Sequence, residues 1–214
     1  MSMLYEISQA LQNGKAKFVK ELIEKALSEG LEAKDILDNG LLAGMDVIAG
    51  KFKRNEVFVP EVLIAARAMN AGTEMLKPHL VKSGAKPIGK AVLGTVRGDV
   101  HDIGKNIVRM MLEGKGIEVV DLGVDVSTEK FVEAFKQEKP DILAMSALLT
   151  TTMTEMKATI DAFVSNGLRD NVFIMVGGAP LNEEFCKSIG ADFYAQDAAT
   201  AAEGAKQAIL SKGN

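Results

Sequence analysis

Tryptophan is absent from this 214-residue chain and aromatic residues make up only 5% of it, which leaves few flat surfaces for stacking bases or sugars. Cysteine occurs once, as Cys186, so an internal disulfide and a thiolate metal cluster are excluded and a reducing compartment is implied. Histidine occurs only as His79 and His101. Structural zinc takes about four Cys or His ligands and catalytic zinc about three protein ligands, so zinc is not expected. No apolar run approaches the roughly 18 residues of a bilayer crossing. Met1 to Lys15 lacks a basic start followed by an apolar core, so no secretory signal is expected and the protein is placed in the cytoplasm, away from membranes. A balance of 29 acids against 25 bases, net -4 and without a Lys/Arg cluster, makes nucleic acid an unexpected partner.

What is present is an ordinary globular composition, 47% hydrophobic and 25% charged, over a length of roughly one and a half domains of ~150 residues. From Leu4 to about Val81 the apolar residues recur at helical spacing, without strand-like alternation. The pattern predicts helices over Leu4 to Leu11, Lys15 to Ser28, Lys34 to Phe52 and Pro60 to Pro78, with Asn13-Gly14 and Gly30 as stops. Gly40 and Gly44 inside the third helix imply close approach of another helix or a bound group. Four such helices make a small bundle. The turn-rich stretch Lys82 to Lys90 reads as a linker, which places a helical domain at 1–85 and a second domain at 89–214.

Beyond the linker, strands are expected at Ala91 to Val96, Glu118 to Leu122, Asp141 to Ser146, Val172 to Val176 and Asp192 to Ala195. They alternate with helices at about 103–115, 128–137, 152–166, 181–188 and 198–211. The fold class is therefore α/β: a four-helix bundle followed by a Rossmann-like, flavodoxin-like doubly wound sheet of five parallel strands. Ligands bind such sheets beyond the carboxyl ends of the strands.

Three stretches fall at that edge. The first is Gly98-Asp99-Val100-His101-Asp102-Ile103-Gly104-Lys105-Asn106, after the first strand. An imidazole there can bind a transition metal through one ring nitrogen while Asp99 accepts a hydrogen bond from the other, and Gly104 leaves the next helix bare for a bulky ligand. The same loop also reads as a helix cap built on Asp99 or Asp102, with His101 solvated. A lone histidine ligand implies a metal held mainly by something else. The second stretch, Ser146-Ala147-Leu148-Leu149-Thr150-Thr151-Thr152, reads alone as an N-cap, and the third, Gly177-Gly178-Ala179-Pro180, as a tight turn. Together they outline a slot between strands, lined with donors and acceptors.

In combination, Gly-Asp-Val-His-Asp-Ile-Gly-Lys-Asn, then Ser-x-Leu, then Gly-Gly resemble the cobalamin-binding domain of methionine synthase and its relatives. Val57-Phe58-Val59-Pro60-Glu61-Val62-Leu63, followed by Ala65-Ala66-Arg67-Ala68-Met69, resembles the helical cap that precedes that domain. The resemblance is to free-standing corrinoid proteins of methanol, methylamine, betaine and methoxyaromatic methyltransferase systems. It implies a corrinoid cofactor, cobalamin or methylcobalamin, whose own lower base is displaced by His101 as the axial ligand of cobalt. It implies that Asp99 holds His101, and that Thr152 completes the relay where methionine synthase leads one to expect Ser. Gly98, Val100, Asp102, Ile103 and Gly104 would form the loop met by the corrin. Ser146, Leu148 and Thr150 would line the path of the nucleotide tail, Gly177 and Gly178 would make room for it, and Asp197-Ala198 would form a turn against it. Phe58 and Met69 either offer apolar surface to the upper face of the corrin or simply pack between helices.

The implied function is that of a methyl carrier. Cobalt(I) takes a methyl group from a substrate-specific methyltransferase, and a second methyltransferase moves it from methyl-cobalt(III) to tetrahydrofolate or coenzyme M. A reductive activation protein would be a further partner. The alternatives are a small subunit of an adenosylcobalamin mutase, a cobalamin-sensing regulatory module and a cofactor-free signalling domain. The first leaves the helical half unexplained, and the second lacks a basic recognition helix in the first 80 residues.

Overall fold

The computed structural model describes residues 2–83 and 86–212, so Gly84 and Ala85 of the expected linker, and the expected domain limits at 1, 85 and 214, lie outside the described residues. The chain divides into two compact units, Met1–Pro87 with Gly114–Gly116, and Ile88–Glu113 with Ile117–Asn214. No helix among the described residues is long and apolar enough to cross a membrane.

The first unit contains α1 (Met3–Gln12), α2 (Ala16–Ser28), α3 (Ala33–Asp35), a π-helical stretch (Ile36–Leu42), α4 (Ala43–Lys53) and α5 (Val59–Ser83). Ser2 starts α1 by accepting a hydrogen bond from the Tyr5 amide, and Gly14 follows its end at φ 65°, where a side chain would be strained. Residues 33–53 are helical without a break. The π stretch inside them was not visible in the apolar spacing. The neighbour implied by Gly40 and Gly44 is α1: a Cβ at either position would lie 3.1 Å from Ile7 or Leu11. Ile7, Leu11, Ile23, Ile36 and Leu41 are wholly buried and form the centre of this unit. The last helix differs from expectation, because α5 runs through Pro78 to Ser83 instead of stopping there. Proline's fixed φ is itself helical, so Pro78 forfeits one main-chain hydrogen bond without ending the helix.

The second unit is β1 (Gly89–Thr95), α6 (Ile103–Glu113), β2 (Ile117–Asp121), α7 (Thr128–Glu138), β3 (Ile142–Ser146), α8 (Met153–Ser165), a 3-10 turn (Arg169–Asn171), β4 (Phe173–Gly177), α9 (Glu183–Ile189), β5 (Phe193–Ala195) and α10 (Ala198–Lys212). All pairings are parallel and the strand order is β2-β1-β3-β4-β5. The central strands are buried over runs rather than at alternate positions, because helices cover both faces: α6 packs with α10, and α7 with α8. Gly94 in β1 admits the Phe131 ring of α7, which would lie 2.9 Å from a Cβ there. Phe135 and Phe163 meet edge to face at 5.3 Å on the same side. Cys186 is buried, and burial pushes its thiol up, away from the reactive thiolate.

Two consequences place the site. The strand order reverses at β1, between β2 and β3, which opens a crevice at the carboxyl edge. The register sets Thr95, Ser146, Gly177 and Ala195 in one row across that edge.

Candidate functional site

The loop after β1 carries Asp99 and His101. Asp99 is completely buried, whereas the His101 side chain is 47% exposed. One carboxylate oxygen, Oδ1, accepts from the His101 amide at 3.0 Å and lies 2.7 Å from His101 Nδ1. The other, Oδ2, reaches across to the loop after β3, accepting from the Leu148 amide at 2.7 Å, the Leu149 amide at 3.2 Å and Thr152 Oγ1 at 2.9 Å. A single buried carboxylate thus joins the two loops flanking the crevice. Burial by itself pushes the Asp99 carboxyl up, but the Leu148 amide, the His101 amide and ring, and the Thr152 hydroxyl outweigh it and hold the group well below the usual carboxylate range.

This fixes the histidine tautomer. An ionised carboxylate only accepts, so Nδ1 carries the proton and Nε2 of the neutral ring keeps its lone pair. Around it, Val100, Leu148 and Leu149 on the same two loops and Ile103 at the start of α6 are exposed apolar residues, a pattern that marks a surface meant to be covered. Gly104, in the first turn of α6, has nothing within 4 Å of a Cβ built on it, so no protein atom requires its bareness. Among the described residues, no group of three or more His, Cys, Asp and Glu is arranged to hold a metal ion. One exposed imidazole nitrogen, an apolar collar and an open glycine do fit a metal that arrives inside a broad macrocycle.

The remaining expected positions divide. Thr152 joins the Asp99–His101 pair, and its methyl sits 3.5 Å from where Gly98 would carry a Cβ, so the extra carbon relative to Ser is accommodated. Ser146 lies half-buried in the edge row and Thr150 is exposed on the same loop. Asp102 is exposed and accepts from Asn106 Nδ2, 3.0 Å, at the start of α6. Gly178, at φ 138°, has another reason for its bareness: a Cβ there would lie 1.8 Å from the Ala147 carbonyl oxygen. The Gly177 position is likewise close to the Ala195 carbonyl, at 3.1 Å. Asp197 accepts from the Thr200 amide at 2.7 Å, and Ala198, which follows, is buried. In the helical unit, Phe58 precedes α5 and is 63% exposed, whereas Met69 is buried within the span of that helix.

Other groups carry the loop without having been anticipated. Lys105 is buried, and its Nζ lies 2.6 Å from both oxygens of Asp121. Burial pushes the Asp121 carboxyl up, but Lys105, the Gly123 amide and Arg109 together hold it below its ordinary value. Thr95 Oγ1 donates to the His101 carbonyl at 2.9 Å, and Asp125 accepts from the Gly98 amide at 2.7 Å.

Comparison with known proteins gives this site its class. A family model described as B12 binding domain matches residues 89–205, and a second of the same description matches residues 3–77. A corrinoid protein of Desulfitobacterium hafniense is 41% identical over 215 residues, spanning 99% of both chains. A dimethylamine corrinoid protein of Methanosarcina barkeri is 43% identical over 209 residues, spanning 97% of both. The crystal structure of a methanol:cobalamin methyltransferase complex from Methanosarcina barkeri includes a chain that superposes with a TM-score of 0.88 at 36% identity, covering 97% of this chain and 80% of that one.

The fold and the site define a corrinoid-binding protein. The chain belongs to the corrinoid proteins of methyltransferase systems, with both B12 binding regions of that family.

Proposed function

We propose that this protein is a methyl carrier: a substrate-specific methyltransferase loads a methyl group onto its corrinoid, and a second methyltransferase unloads it to tetrahydrofolate or coenzyme M. The observation that supports this most is the arrangement of His101, whose Nε2 stands free at the sheet edge while Nδ1 is pinned to a buried carboxylate. The kinship with dimethylamine and trimethylamine corrinoid proteins favours a methylamine as the methyl donor. A reductive activation protein would restore the reduced cofactor, and the lone buried Cys186 suits a cytoplasmic setting. We assign residues 1–85 to a cap and 89–214 to the cofactor-binding domain.

The bound corrinoid supplies a nucleophilic cobalt, and the protein controls its ligation and access. His101 would hold the cobalt through Nε2. Asp99 orients the ring and maintains the tautomer, and Thr152 with the Leu148 amide fixes Asp99. The donors around Asp99 hold its carboxyl well below the usual carboxylate range, so it stays an acceptor for the ring. Gly104 lets the macrocycle approach α6, and Ser146 and Thr150 offer hydroxyls to its tail. The test is to supply isotopically labelled monomethylamine, dimethylamine, trimethylamine and methanol, each with its methyltransferase, to the reconstituted protein. Label on the protein-bound corrinoid from one of the amines is expected, and no label from any donor contradicts the carrier reading.

A further inference from the structure

We propose that Asp125, on the segment between β2 and α7, is a positioning residue for the axial histidine; this rests on the reading of His101 as cobalt ligand. The segment runs beside the His101 loop as a splint. The Gly123 carbonyl accepts from the Thr95 amide at 3.0 Å, and the Val126 amide donates to the Thr95 carbonyl at 2.9 Å, so the splint extends the β1–β2 pairing past the end of both strands. Between these bonds, Asp125 grips the loop twice. Its Oδ1 accepts from the Gly98 amide at 2.7 Å, and its own amide donates to the Asp99 carbonyl at 2.9 Å. The Asp99 amide is in turn tied to the Val96 carbonyl at 3.1 Å. Both peptide groups flanking Gly98 and Asp99 are thereby fixed, and Asp99 is the residue that holds the imidazole.

The backbone of Asp125 explains its residue type. It stands at φ 51°, in the left-handed region that L residues other than Asn and Asp seldom enter. Non-glycine residues in that region persist where surrounding contacts fix them, often at ligand clamps. Asp125 does not cap α7, since that role falls to Ser127, which accepts from the Lys130 amide. Gly98 is exposed, so water should replace the carboxylate when it is removed, and the fold is expected to survive. What changes is how tightly the Asp99–His101 pair is placed.

Three variants separate the causes. Asp125→Asn keeps an acceptor oxygen and tolerates the left-handed backbone, Asp125→Gly keeps only the backbone, and Asp125→Ala keeps neither. In the cobalamin-loaded protein, electron paramagnetic resonance of the cobalt(II) state measures the ratio of nitrogen-coordinated to uncoordinated cobalt. Asp125→Gly and Asp125→Ala should lower that ratio about tenfold, the low end of the effect of groups that orient a metal ligand, with Asp125→Asn near the unsubstituted protein. In the apoprotein, hydrogen exchange at the Gly98 amide should accelerate in Asp125→Gly but not in Asp125→Asn. An unchanged ratio or unchanged exchange in Asp125→Gly, or equal loss in the Asn variant, overturns the proposal. Absence of nitrogen coupling in the unsubstituted protein contradicts instead the reading of His101, and the role of Asp125 falls with it.

Discussion

The Asp99 carboxylate and the His101 imidazole are two residues apart in the chain and 2.7 Å apart in space, with the acid wholly buried and the ring half in solvent. That contrast leaves Asp99 fixed by its surroundings and the far side of the His101 ring open to solvent. It also separates the effects of changing each.

Asp99→Asn should weaken histidine coordination without abolishing corrinoid binding, because an amide cannot accept from every donor now pointing at Asp99. At least one NH2 hydrogen must face another donor, which costs about 1–3 kcal/mol of stability. Urea denaturation of the apoprotein and corrinoid titration check the two parts separately. Complete loss of corrinoid by a folded Asp99→Asn protein contradicts its assignment as an orienting residue.

The pH dependence follows from the same carboxylate. Its pKa is depressed on folding, so its contribution to stability is complete above the ordinary unfolded value near ~3.9 and is lost as pH falls through the lower folded value. The stability advantage of the unsubstituted protein over Asp99→Asn should therefore be flat from neutral pH to about 5 and shrink below about 4. Denaturation midpoints measured across that range check it.

Much of this was legible in the sequence. Five strands and their helices showed themselves in the change of apolar period. The loop itself suggested that Asp99 faces His101, whereas Thr152 was added only by the family resemblance; the structure places all three around one carboxylate. The π-helical turn at Ile36–Leu42 was not legible, since one extra residue per turn barely alters an apolar stripe. The continuation of α5 past Pro78 was hidden because proline's presence does not reveal whether its neighbours supply enough packing to carry the helix on. Asp125 and the Lys105–Asp121 pair were missed because their partners lie far off in sequence: 27 residues separate Asp125 from Gly98, and 16 separate Asp121 from Lys105. An acidic residue at a strand end or in a loop carries no local sign of such a partner.

Glycines test the space around the site. Gly104→Ala should stabilise the apoprotein by up to about 1 kcal/mol, since alanine favours the helix and meets no atom there, while lowering corrinoid affinity. Gly178→Ala should destabilise the protein with or without corrinoid, because its Cβ would meet the Ala147 carbonyl oxygen. Thermal unfolding and corrinoid titration of both variants distinguish a glycine kept for the ligand from one kept for the fold.

Lys105→Met should destabilise the fold by less than the ~3–5 kcal/mol of breaking a fully buried pair, because Asp121 is partly exposed and the Gly123 amide and Arg109 still face it. Denaturant midpoints of Lys105→Met and of the Lys105→Met, Asp121→Leu double variant check this. The double variant should be the more stable of the two.

The central claim is that His101 is the protein's ligand to cobalt. The most direct measurement is electron paramagnetic resonance of the cobalt(II) cobalamin complex prepared from protein labelled with 15N only at histidine. Axial ligation by His101 predicts a superhyperfine pattern that changes from that of 14N to that of 15N on labelling and disappears in His101→Ala. A nitrogen pattern unaltered by the label, or one that persists in the His101→Ala protein, contradicts it.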